Sequence, residues 1–146
     1  MKKELYTEIE INAAPEKVWR ILTDFADYPK WNPFIRRIEG VPAVGERLKI
    51  FIQPTGAKGF AFKPKVLAAK KEKELRWLGK FFVSGLFDGE HFFKIEKSGE
   101  NKVKFVQGEN FSGLFVSFLA KSLDTDTLRG FREMNEALKK RAEETR

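Results

Sequence analysis

The feature that most restricts the fold is a long central region in which apolar residues alternate with polar ones, with helical patterns on both sides. Residues 34–111 divide into segments of period two, and turn-forming residues separate the segments at short intervals. This period is typical of antiparallel strands with one buried face. We predict six consecutive hairpin-connected strands here, at 34–39, 46–53, 60–69, 74–78, 86–97 and 102–111.

A seventh predicted strand precedes this region. Its buried face is formed by Leu5, Thr7, Ile9 and Ile11. The period then becomes helical after Pro15, a residue that favours the first turn of a helix. Pro29 and Pro33 disfavour a helical conformation in the residues before them, so a second helix here must be short. The first strand is therefore expected to lead into two short helices before the remaining strands.

The C-terminal part of the chain returns to a helical period with one apolar face. That face contains Leu114, Phe118, Leu128, Phe131, Met134 and Leu138. The stripe loses its phase at residues 124–127, Asp-Thr-Asp-Thr, which prefer caps and turns to helix interiors. We expect a long C-terminal helix with a kink or short break there. No repeat or linker interrupts the pattern, which predicts one α+β domain over residues 1–146.

Two segments resemble a known superfamily. Residues 14–19, Ala-Pro-Glu-Lys-Val-Trp, are similar to the opening of the first helix in START/Bet v 1-like (SRPBCC) proteins, and residues 24–34, DFADYPKWNPF, resemble a segment of their polyketide cyclase/dehydrase-like branch. The resemblance implies the helix-grip fold, a curved seven-stranded antiparallel sheet around a long C-terminal helix with a deep cavity between them. Members use this cavity for lipids, hormones, polyketides or partner proteins, so the fold leaves the ligand open.

Aromatic residues are unusually frequent, with 15 Phe and 3 Trp. Aromatic side chains fill protein cores and also line ligand pockets, so each inward-facing one is a candidate for either role. The residues that strand parity or the helical stripe directs inward are Phe62, Trp77, Phe87, Phe93, Phe105, Phe111, Phe118, Phe131 and Met134.

Alternation places three polar residues, His91, Gln107 and Glu109, on the same face as these aromatic residues. If the hairpin turns around Gly99, His91 lies opposite Gln107 and Phe93 lies opposite Phe105. Buried polar groups cost free energy unless they are partnered. Either the three satisfy one another, or they orient the polar end of an apolar ligand, or His91 and Glu109 act as acid and base.

Residue types exclude several kinds of site. His91 is the only His and the chain has no Cys, so multi-His iron and zinc centres and Cys-ligated zinc cannot form from one chain. We expect no metal and no cofactor. The absence of Cys favours a reducing compartment, and the N-terminus shows no apolar signal segment. We expect a cytoplasmic protein without integral membrane association, because no apolar run approaches the length of a bilayer span.

The net charge of +7 is concentrated in one segment, since residues 58–80 contain eight Lys or Arg against two Glu. Such a segment can attract an anionic ligand, a membrane surface or nucleic acid. We favour a solvated strand pair whose charges resist edge-to-edge aggregation. No nucleic-acid motif accompanies the segment, so we expect no nucleic-acid partner.

Three function hypotheses follow. The first is binding or carriage of a small hydrophobic molecule in an internal cavity. The second is a cyclase, aromatase or dehydratase acting on an apolar substrate. The third is a chaperone-associated interaction domain, which the resemblance allows because activators of Hsp90 ATPase form a neighbouring branch. A filled core would favour the third, whereas a cavity would favour the first two.

Overall fold

The computed structural model describes residues 1–81 and 85–144. Its strands are β1 (Lys2–Ile11), β2 (Ile35–Glu39), β3 (Lys49–Ile52), β4 (Phe60–Phe62), β5 (Lys65–Lys70), β6 (Glu74–Phe81), β7 (Phe87–Gly99) and β8 (Lys102–Ser112). Its helices are α1 (Pro15–Thr23), α2 (Tyr28–Trp31), α3 (Val116–Ser122) and α4 (Leu128–Glu144), with a 3₁₀ turn at Phe25–Asp27 and a π-helical turn at Leu123–Thr127.

The strands form two antiparallel sheets, one of five strands in the order β1-β8-β7-β6-β5 and one of three in the order β2-β3-β4. A bridge between Arg47 and Lys65 connects them. The predicted α+β helix-grip class is confirmed. The predicted count of seven strands in one sheet is wrong, because the strand expected at 60–69 is divided at Pro64. Proline has no N–H to donate and restricts the residue before it, which ends β4 and lets the chain turn into β5.

The hairpin between β7 and β8 has a different register from the predicted one. It turns at residues 100–101, where Asn101 takes a positive φ of 50°, and a bulge between Lys97 and Gly99 precedes the turn. His91 is therefore opposite Glu109, and Phe93 is opposite Gln107. The prediction paired each of these β7 residues with a β8 residue two positions earlier in the chain. A shift of two residues preserves the face on which each side chain lies, so the inward positions stay inward.

The C-terminal helical segment covers the concave face of the five-stranded sheet. From α4, Phe131, Met134 and Leu138 are completely buried. The position at which the sequence predicts a break coincides with the π-helical turn, which follows α3 and precedes α4. A π-helical turn lets a helix continue while its faces change phase, so the two halves present different surfaces to the sheet.

Candidate ligand pocket beneath the C-terminal helix

An internal pocket lies between the concave sheet face and the helical segment around the π turn. Its volume is about 150 Å³. The wall is mostly aromatic and aliphatic, with polar groups at a few points. We call this space the inner pocket; it is lined by Phe34, Ile35, Ile52, Phe60, Phe62, Trp77, Phe81, Phe87, His91, Glu109, Phe111, Leu119, Ser122, Leu123 and Thr127.

Glu109 contributes the one carboxyl group among these lining residues. The residue is 8% exposed, and its Oε1 lies 3.0 Å from Nδ1 of His91. The other oxygen, Oε2, points across β7 towards Gly89, where a Cβ atom would come within 2.2 Å of it. The missing side chain at Gly89 is therefore what leaves room for the carboxyl group at this position.

A chain of buried hydrogen bonds runs from Glu109 away from the pocket. His91 Nε2 lies 2.9 Å from Oε1 of Gln107. The amide nitrogen of Gln107 donates to Oδ1 of Asn135 at 2.7 Å and to the carbonyl of Phe131 at 3.3 Å. Asn135 in turn donates to Thr7 Oγ1 at 2.8 Å, and Thr7 donates to the carbonyl of Gln107 at 2.7 Å. The network thus joins β1, β7, β8 and α4.

The two backbone carbonyls in this network fix the direction of the bonds that join Thr7, Asn135, Gln107 and His91. A carbonyl oxygen only accepts, so the amide nitrogen of Gln107 must face Phe131 and its oxygen must face His91. His91 therefore carries a proton on Nε2 and donates it. Its Nδ1 then forms a hydrogen bond with Glu109 only if one further proton lies between them, on the carboxyl group or on the imidazole. In either placement Oε1 is engaged and Oε2 remains an acceptor.

Aromatic contacts hold the imidazole of His91 in place. The ring stacks on Trp77, its neighbour across β6 and β7, with centroids 5.3 Å apart and planes 20° apart. Phe131 meets it edge-on at 4.9 Å. These contacts and the bond to Gln107 leave the ring little freedom, so the His91–Glu109 pair is held in a fixed arrangement at the wall of an apolar space.

A wider surface groove adjoins the inner pocket. It has a volume of about 730 Å³ and shares five lining residues with the pocket, namely Phe60, Phe62, Phe81, Phe87 and Leu119. Its remaining lining residues are Ala61 and three lysines, Lys49, Lys63 and Lys80. We call this space the outer groove. It lies beside the inner pocket, shares an apolar wall with it, and has three lysines at its rim.

The residues predicted from the sequence divide into three groups. Phe62, Trp77, Phe87, His91, Glu109 and Phe111 line the inner pocket. Gln107, Phe93, Phe105, Phe131 and Met134 are completely buried and lie in the core instead. Phe118 is 85% exposed, so its prediction as an inward-facing residue is wrong. The reason is that α3 belongs to a separate helical turn whose phase differs from that of α4.

Sequence reasoning missed several residues of the site. Asn135 and Thr7 complete the network, and the available signal was that each interrupts an otherwise apolar buried face. Ser122 and Thr127 line the pocket from the helical side. Gly89 also belongs to the site, because the space beside it holds the Glu109 carboxyl group from the neighbouring strand, and strand parity does not reveal such a contact.

In residues 1–81 and 85–144, no three His, Asp or Glu side chains are grouped as metal ligands. Within that same part of the chain, no helix is both long and apolar enough to cross a bilayer.

A family model described as "polyketide cyclase / dehydrase and lipid transport" matches residues 2–143, almost the whole chain. The chain belongs to this family. Its membership agrees with the sequence resemblance to the START/Bet v 1-like superfamily, which is thereby confirmed. No match was found among curated protein sequences.

Several solved structures share this fold. Norcoclaurine synthase from Thalictrum flavum, in complex with dopamine and hydroxybenzaldehyde, has a TM-score of 0.75 at 15% identity, covering 100% of this chain and 89% of that one. A START superfamily protein from Mycobacterium smegmatis gives 0.68 at 20% identity, covering 96% and 97%. A hypothetical protein from Helicobacter pylori gives 0.77 at 20% identity, covering 96% and 88%. At these identities the likeness concerns the fold.

Proposed function

We propose that this protein binds a small hydrophobic molecule in the inner pocket. The observation that carries the proposal is an aromatic space of about 150 Å³ with one buried carboxyl group, Glu109, at its wall. Small-molecule sites combine these features, a largely apolar wall and a few fixed polar groups. The volume equals that of an engineered protein cavity known to hold a benzene-sized ligand, so the inner pocket accommodates one ring.

Two other observations support binding. The outer groove offers an entry route, since five residues belong to both spaces. Norcoclaurine synthase shares the fold and was solved with two small aromatic molecules, dopamine and hydroxybenzaldehyde. A pocket is expected for a binding protein or an enzyme. The chaperone-associated alternative predicts a filled core instead.

The test is native mass spectrometry of freshly purified protein and of two tryptophan variants. Leu119→Trp adds a ring where the inner pocket meets the outer groove. Leu67→Trp adds the same ring on β5, outside both spaces, and serves as the control. We expect an apolar adduct on the wild type and on Leu67→Trp, and its loss from Leu119→Trp. Equal retention by both variants would contradict binding in the inner pocket.

A second candidate, catalysis of the cyclase or dehydratase kind, is favoured by the His91–Glu109 pair. Such reactions need a group that donates or removes a proton at an apolar substrate, and Oε2 of Glu109 is an acceptor at the pocket wall that can remove one. The test is turnover of the compound identified by mass spectrometry. If the pair is catalytic, Glu109→Gln should lower turnover by about 10²-fold or more while binding persists. Unchanged turnover in that variant would refute the catalytic role.

A further inference from the structure

The two ends of the route from surface to pocket wall have opposite hydrogen-bonding character. At the inner end, the accessible fraction of Glu109 is 11% of its side chain, and its Oε1 is already bonded to His91. The oxygen left for a ligand is Oε2, which accepts in both placements of the shared proton. No donor from the described residues is bonded to it. A ligand atom that meets it must therefore donate a hydrogen bond.

At the outer end, the groove presents three ammonium groups. Lys49, Lys63 and Lys80 are all exposed, and none has a carboxylate within 4 Å among residues 1–81 and 85–144. Lys49 belongs to β3, Lys80 belongs to β6, and Lys63 directly follows β4, so three separate parts of the chain bring them to one apolar groove. Lys104 and Lys139, in contrast, each contact an acidic side chain. These three are available for an anionic group on a ligand.

We infer that the ligand is a ring-bearing molecule with two polar ends, a hydroxyl that donates to Glu109 in the inner pocket and a carboxylate that lies among the groove lysines. The chemical class is thus a hydroxyaryl carboxylic acid. The inference rests on the proposed function, which requires only that an apolar molecule enter the pocket. It also gives part of the basic segment 58–80 a role beyond that of a solvated strand edge.

The two contacts differ in strength. The hydroxyl meets a carboxyl group shielded from water, so this hydrogen bond is the main source of selectivity. We expect a probe with the hydroxyl to bind about tenfold tighter than the matching probe without it. The carboxylate meets exposed lysines, so its contribution is about twofold to fivefold and decreases with added salt. The ligand should therefore enter ring first.

The test is a set of four probes that differ only in these ends. 3-(4-hydroxyphenyl)propanoate has both polar groups, 3-phenylpropanoate lacks the hydroxyl, 4-ethylphenol lacks the carboxylate, and ethylbenzene lacks both. Dissociation constants are measured by nuclear magnetic resonance titration of the wild type. We expect the first probe to bind tightest and ethylbenzene to bind weakest. The gain in affinity from the carboxylate should decrease from low to high salt, whereas the gain from the hydroxyl should not.

Two substitutions at Glu109 test the inner contact. Glu109→Leu removes the acceptor and should abolish the hydroxyl preference. Glu109→Gln should retain much of it, because the amide nitrogen can donate to His91 Nδ1 while the amide oxygen still accepts. Ethylbenzene binding to each variant verifies that the pocket has folded. Retention of the full preference in Glu109→Leu would overturn the inference.

The outer contact is tested with lysine variants of equal charge change. The triple variant of Lys49, Lys63 and Lys80, each to Gln, should lose the carboxylate advantage. The control, Lys71→Gln with Lys73→Gln and Lys97→Gln, alters exposed lysines outside the groove and should keep it. Ethylbenzene binding without any gain from either polar group would overturn this inference and leave the proposed function standing. Failure of all four probes to bind would overturn both.

Discussion

The two ends of the concave sheet face are built from the same strands yet differ in their packing. At one end, Phe93 and Phe105 stack with centroids 5.9 Å apart, and both are completely buried. At the other end, Phe87 and Phe111 stack at 5.4 Å but border the inner pocket. The first pair lies in the core with α4 residues such as Phe131, whereas the pocket is bordered by α3 and the π turn. The helical element, and not the strands, thus decides which end is core and which is pocket.

Replacing one ring at each end with alanine should show the largest difference in stability between the core end and the pocket end. Phe93→Ala should reduce the free energy of unfolding by about 3–5 kcal/mol, because the vacated volume lies in a close-packed core. Phe111→Ala should cost less, about 1–3 kcal/mol, since one side of that ring already borders open space. Urea unfolding of both variants gives the comparison. Equal losses would mean that the pocket end is packed as tightly as the core.

Substitutions in the polar network should also cost more stability at the core end than at the pocket end. Gln107→Leu should lower stability by about 1–3 kcal/mol, because it leaves Nε2 of His91 and Oδ1 of Asn135 without the buried partner that Gln107 supplies. Glu109→Gln should cost less than about 1 kcal/mol, because the amide can replace the hydrogen bond to His91. Thermal unfolding of the two variants measures the difference. A neutral Gln107→Leu would show that water replaces the lost partners and that the pocket extends to this residue.

A methyl group at Gly89 should affect the pocket more than the fold. Its Cβ would meet Glu109 Oε2 at 2.2 Å, so the carboxyl group must move. We expect Gly89→Ala to weaken binding of 3-(4-hydroxyphenyl)propanoate about tenfold, with a change in stability below about 1 kcal/mol. Gly99→Ala is the control, because its nearest neighbour would be 3.5 Å away, an ordinary contact. If both variants bind the probe as the wild type does, Glu109 does not contact it.

The smallest expected effect concerns a contact at the core end, where α4 meets the turn after β1. The backbone N–H of Asn12 donates to Glu143 at 2.7 Å and, with the ammonium of Lys139, holds the pKa of that carboxyl below its ordinary value. A carboxyl group whose pKa is lowered by folding stabilises the folded protein at pH values above its ordinary pKa. This stabilisation is lost as the pH falls through the lower pKa of the folded state. Near pH 7, the free energy of unfolding of the wild type should therefore be higher than that of Glu143→Gln, by less than about 1 kcal/mol.

The pH dependence provides the check on this contact. As the pH falls below the ordinary glutamate range and through the lowered pKa of folded Glu143, the carboxyl group becomes protonated and resembles the glutamine variant, so the difference in unfolding free energy should disappear. Denaturation of both proteins at several pH values measures it. A difference that is constant with pH would show that the carboxylate charge contributes nothing to this contact.

The sequence by itself determined the face on which each strand residue lies. Period-two alternation assigned His91, Gln107 and Glu109 to the inner face, and this assignment survived a two-residue error in register because parity has the same period. The break in the C-terminal helix was also predictable, since four residues unfavourable to helix interiors lie together at 124–127. The split at Pro64 carried a signal too, although its effect on the strand count was not predicted.

Only the tertiary structure decided which inward residues are core and which face the pocket. Gln107 and Glu109 have the same parity and lie two positions apart, yet Gln107 is sealed by Asn135 from α4, whereas Glu109 lies where Gly89 and the π turn leave space. The contact between Asn135 and Thr7 joins residues 128 positions apart. Periodicity reports the direction of a side chain along its own strand. The element that covers it is set by long-range packing, which no local pattern contains.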